Sequence, residues 1–149
     1  MGVWTDRLAF MRETQSLASI ARTAGVPYSM LQRVARGGEL PTGYAGKLQP
    51  VYKKNSYARL TAAGTPSRDA SNYAGGDVGN IRRIIKDIDT KVHFYARGVT
   101  LVHFAKQRLM LGNEQVKAYY DRQVERIRNA FKKSIETVTN VLADRYGKG

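Results

Sequence analysis

Residues 17–38 read LASIARTAGVPYSMLQRVARGG, and the punctuation of this stretch predicts two short helices joined by a sharp turn. Ser16 is a natural N-cap, because its hydroxyl can accept one of the free N–H groups of a first helical turn. Leu17, Ile20, Ala21 and Ala24 follow at helical spacing, so the first helix covers 17–23 with one apolar face. Gly25 can adopt the left-handed backbone conformation that ends it. Pro27 suits the first turn of the second helix, which runs to Arg36 and stops at Gly37 and Gly38.

Outward from this stretch the helical signals continue. Upstream, Thr5 can cap a helix with Asp6 in its first turn and Leu8, Phe10 and Met11 as its apolar side chains. Downstream, residues 37–56 (GGELPTGYAGKLQPVYKKNS) are rich in Gly, Pro and Lys and read as an extended basic connection. A second helix–Gly–helix pattern follows within 56–76, with Thr65 and Pro66 as its helix start. It echoes the first at an offset of 39, since Ala24, Gly25 and Pro27 align with Ala63, Gly64 and Pro66. The echo is more polar where it should be buried, with Thr65 and Asp69 in place of Val26 and Met30. It reads equally as a degenerate second copy or as chance reuse of a common helix start.

From Asn80 the pattern is one of long helices. Ile81, Ile84, Ile85, Ile88, Val92, Tyr95, Val99 and Val102 keep to one face, with Gly98 as a potential break. Leu111-Gly112-Asn113 reads as a turn, with Asn113 as a cap. A last helix then carries Val116, Tyr120, Val124, Ile127, Phe131, Ile135, Val138 and Leu142, and would span roughly 50 Å if unbroken to Arg145. Two one-faced helices must bury their stripes, which predicts an antiparallel hairpin that packs on the N-terminal module, on a second copy in self-association, or on both. The expected class is all-α in three parts. These are a helical module over 1–38, a basic connection with a short helix pair over 39–79, and the long hairpin over 80–149.

Charge narrows the partners. Among the 149 residues, 25 Lys and Arg oppose 12 Asp and Glu, giving a net charge of +13. This favours a phosphate-rich partner or an anionic surface. The charge is spread along the chain, at +2 over 1–40, +4 over 41–75 and +7 over 76–149. The 42% apolar content is enough for a packed core. Without cysteine there is no disulfide framework, thiolate zinc site or thiol nucleophile. No apolar stretch is long enough for a membrane span, so the expected setting is the cytoplasm or a particle assembled there.

Residues 17–38 resemble the helix-turn-helix of DNA-binding proteins of the phage-repressor and lac-repressor type. The resemblance rests on small Ala21, on Gly25 four residues later, and on Val26, Leu31 and Val34 at the buried positions, faced by Ile20 and Ala24. It covers about twenty residues, and Pro27 departs from it where many members carry a capping Ser or Thr. It implies that Tyr28, Ser29, Gln32, Arg33 and Arg36 face the major groove of double-stranded DNA. Gln32 and Arg33 suit base edges, Arg36 suits phosphate or guanine, and Ser29 suits phosphate. Lys47, Lys53, Lys54, Arg59 and Arg68 are the expected backbone contacts. Tyr44, Tyr52 and Tyr57 lie among these cations, where rings line nucleic acid or simply pack under a basic loop.

Other chemistry is not signalled. His93 and His103 have no neighbouring ligands at metal spacing, and no nucleophile–base order or phosphate-cradling loop stands out. GGDVGN at 75–80 lacks a preceding strand and reads as a linker. KVHFYARGVTLVHFAK at 91–106 fits core packing, or else a membrane-surface segment. The expected function is therefore a non-enzymatic DNA-binding protein of phage or mobile-element type that needs no cofactor or metal. The alternative is an internal virion or capsid-associated component that organises nucleic acid, because most of the charge lies outside the helix-turn-helix.

Overall fold

The computed structural model describes residues 2–107 and 114–133. Among these the chain is all-α, with seven helices and no strand: α1 (Val3–Met11), α2 (Leu17–Ala24), α3 (Tyr28–Ala35), α4 (Ala45–Ala63), α5 (Ser67–Tyr73), α6 (Val78–Gln107) and α7 (Glu114–Lys133). The chain divides into two compact units, one of residues 1–59 with 72–82 and one of 60–71 with 83 onward.

In the first unit, α2 begins at Ser16, whose Oγ accepts from the Ser19 amide at 3.1 Å, and ends at Gly25 with φ at +71°. α3 packs on both α1 and α2. Leu8, Phe10, Met11, Ile20, Leu31 and Val34 are fully buried, and the burial of each such side chain contributes about 1.5–3 kcal/mol. Thr5 does not cap α1, which starts two residues earlier. It is buried within that helix, and its Oγ1 donates to the Val34 carbonyl at 2.8 Å, tying α1 to the end of α3.

The basic connection is not extended throughout, because from Ala45 it is helix α4. Pro50 sits early in α4, where the only helical bond its missing N–H forgoes is the one to Gly46. Leu48, Val51, Tyr52, Asn55, Ser56 and Leu60 form the buried face, at steps of three and four. Two of these are polar and hold neighbouring backbone and side chains in place. Asn55 Nδ2 donates to Gln15 Oε1 at 3.0 Å and Thr14 Oγ1 at 3.2 Å, while Ser56 Oγ accepts from the Gly75 amide at 2.9 Å. Burial, the largest influence, pushes the Tyr52 phenol pKa above its ordinary value, and its OH donates to the Gly76 carbonyl at 2.6 Å. Tyr52 is therefore a core residue, and of the two readings of these tyrosines packing holds for it.

The offset-39 echo has a backbone counterpart. Val26 N–H donates to the Ala21 carbonyl and Thr65 N–H to the Leu60 carbonyl, and Leu31 to Pro27 is matched by Ala70 to Pro66. Both turns thus close in the same way, although the buried Thr65 hydroxyl has no hydrogen-bond partner among the described residues.

In the second unit, α6 and α7 form the antiparallel hairpin. Val92 and Ala96 pack with Val124, Ile127, Ala130 and Phe131, and further along Val99 and Phe104 pack with Val116 and Tyr119. α6 starts at Val78 and continues through Gly98 without a break. Gly64, with φ at +113°, lies so close to this hairpin that a Cβ would sit 3.3 Å from Ile88 Cγ2 and 3.4 Å from Arg128 Cα. His93 and His103 face tyrosines of α7: His93 Nδ1 hydrogen-bonds Tyr120 OH, and the His103 ring stacks 4.2 Å from that of Tyr119. The turn at 111–113 and the helix beyond 133 fall outside the described residues.

Candidate nucleic-acid interface

One side of α3 is buried through Met30, Leu31 and Val34. A residue advances about 100° around a helix, so Tyr28, Ser29, Gln32, Arg33 and Arg36 share the opposite side. Four of them are exposed and Gln32 is half-buried, while Tyr28 stands at the helix start with 46% of its surface open. The side chain of the N-cap residue, Pro27, makes no capping bond, which leaves the first-turn amides facing outward. This face combines a hydroxyl, a carboxamide, a phenol and two guanidinium groups. That set can pair with base edges and with phosphate oxygens.

The remaining expected contacts divide. Lys47, Lys53 and Lys54 are exposed on α4, opposite its buried face, with Lys47 and Lys54 two turns apart on one line. Arg68 is exposed on α5 and belongs to the second unit. Arg59 is turned inward. Its guanidinium donates to the Phe10 carbonyl at 2.7 Å and to Glu13 at 2.6 Å, and it lies 3.9 Å from the centre of the Phe10 ring. A guanidinium held on three sides within the protein has little left to offer a phosphate.

Arg82 joins the same cluster at 2.7 Å from the other Glu13 oxygen. Burial is the largest influence on the Glu13 carboxyl and works to raise its pKa. Hydrogen bonds from Arg82 and Arg59, together with their charges, outweigh it and hold the carboxyl below its ordinary range. Arg7 is likewise internal, with its guanidinium 4.8 Å from the Trp4 ring, 4.7 Å from the Tyr52 ring and 2.8 Å from Gln49 Oε1. In the second unit, Arg128 bonds Asp89 and Glu125, each at 2.9 Å.

The cations that make no ion pair among the described residues of the first unit therefore include Arg22, Arg33, Arg36, Lys47, Lys53 and Lys54, all of them exposed. Arg22, in the last turn of α2, was not among the expected contacts. The signal for it was present, since a basic residue follows Ala21 directly on the outer side of the helix. No family model, curated protein or solved structure matches the chain. No described helix is long and apolar enough to cross a membrane.

Proposed function

We propose that this chain is a non-enzymatic DNA-binding protein that lays α3 in the major groove of a duplex and grips the phosphate backbone with its unpaired cations. The observation that carries the reading is the outward face of α3, where Tyr28, Ser29, Gln32, Arg33 and Arg36 stand together above a fully packed inner face. Gln32 and Arg33 read base edges, while Arg36 and the α4 lysines hold the backbone. Arg59 is left out of this set because both its terminal nitrogens are turned inward, one to the Phe10 carbonyl and one to Glu13.

A second reading is a structural component that organises nucleic acid inside a particle. It draws on the distribution of charge: the second unit has a formal net charge of +7 from its sequence without containing α3. Gel shifts on random and selected duplexes separate the two. Preference for one sequence, lost in Gln32→Ala and Arg33→Ala, supports groove reading. Tight binding with no preference, unchanged in those variants, supports the structural role. No binding to any duplex at low salt overturns both.

A further inference from the structure

Along α6, the side turned away from α7 carries an apolar line. Phe94 is 68% exposed and Leu101 45% exposed. Gly98 and Ala105 complete the line at steps of four, three and four, with Gly98 half-buried and Ala105 exposed. This spacing is that of a helix–helix seam. It lies about 180° around the helix from Val92, Ala96 and Val99, which are the residues packed within the hairpin.

We infer that this line is where α6 pairs with α6 of a second copy, antiparallel about a two-fold axis between residues 99 and 100. In that register Phe94 of each copy faces Ala105 of the other, and Leu101 faces Gly98, so every large side chain meets a small one. A symmetric contact must be complementary to itself, and this alternation of large and small residues meets that condition.

Charge selects the direction. Arg97 flanks the line and is exposed. A parallel pair would set it against its own copy. The antiparallel register sets it across from Val102 and staggers the two Arg97 by about 7.5 Å along the axis. The two Lys91 are then separated by about 25 Å.

Area sets the strength. The line is about 16 Å long, and with a contact about 10 Å wide it covers on the order of 160 Å² of each copy, well under the roughly 800 Å² of a standard stable interface. The pair is therefore weak and concentration-dependent. It strengthens with salt, because screening relieves the repulsion between two basic chains. Binding to a polyanion weakens with salt instead.

The test uses the free chain without nucleic acid, so its result does not depend on the DNA reading. Sedimentation is measured up to about 500 µM at about 0.05 and 0.5 M NaCl, where the screening length falls from about 14 to about 4 Å. A monomer–dimer equilibrium stronger at the higher salt, weakened at least tenfold in Phe94→Glu and Leu101→Glu with unchanged circular dichroism melts, is expected. A monomer under every condition, or a dimer indifferent to both substitutions, overturns the inference. The register has its own readout, since the chain contains no cysteine. Phe94→Cys mixed with Ala105→Cys should cross-link on mild oxidation far faster than either variant alone. Equal rates would refute the antiparallel pairing.

Discussion

Replacing Lys47, Lys53 and Lys54 together by Gln separates cations that face solvent from those held within the protein. The first unit exposes seven cations without an ion pair among the described residues, Arg12 and the six set out above, and three of those six are these lysines. Each phosphate neutralised on duplex DNA contributes about −0.9 to the slope of log affinity against log salt. If all six cations reach the backbone, the slope is about −5.4, and affinity falls roughly 2,000-fold between 50 and 200 mM salt. The triple variant should show a slope of about −2.7 and a loss of roughly 40-fold over the same range. Arg59→Gln removes the same unit of charge as one lysine but should leave the slope unchanged, because its guanidinium already bonds Glu13 and the Phe10 carbonyl. Fluorescence anisotropy with a labelled random duplex measures all three. A triple variant with the parental slope, or an Arg59→Gln slope lowered by about one unit, would refute this assignment of contacts.

Three stability measurements follow from the same geometry. The folded pKa of Glu13 lies below its ordinary 4.5, so its contribution is present above that pH and is lost as pH falls through the lowered folded value. Thermal melts should therefore lose stability across that window, and Glu13→Gln, costing on the order of 1 kcal/mol near neutral pH for this partly exposed group, should flatten part of the loss. Gly25→Ala meets nothing within 4 Å and should cost only its backbone strain, about 1 kcal/mol, in urea unfolding. Gly64→Ala adds close contacts with Ile88 and Arg128 and should cost at least twice as much. Thr5→Val removes the buried bond to Val34 and should cost about 1–2 kcal/mol in the same assay.

The helix ends around Ser16, Gly25 and Gly37 were legible because caps and left-handed glycines act locally, through the residues on either side. The hairpin was legible because apolar periodicity over twenty and thirty residues leaves few alternatives. α4 was not, for two reasons. Gly46 and Pro50 punctuate its start, and Asn55 and Ser56 occupy buried positions that a hydropathy pattern scores as solvent-facing. Their partners, Gln15 and the Gly75 amide, are 40 and 19 residues away, so nothing local advertises them. The inward turn of Arg59 was hidden on the same ground, since its partners, Phe10 and Glu13, lie at the end of α1. The face of α3 was legible because its inner and outer sides are set by a single short helix.

The division of labour among the cations has a consequence for how the chain tolerates exchange. The cations of the first unit that lie over aromatic rings, half-buried Arg7 and Arg59 and the more exposed Arg82, are all arginine. Only a flat guanidinium can stack on a ring while its edge donates to a carbonyl or carboxylate, and a lysine ammonium has no such plane. The solvent-facing cations of α4 are all lysine, where a point charge on a flexible stem suffices. Arg and Lys should thus be interchangeable at 47, 53 and 54 and not at 7 and 59, although every such exchange leaves the formal charge unchanged. At positions 7 and 59, shape rather than charge determines which basic residue fits.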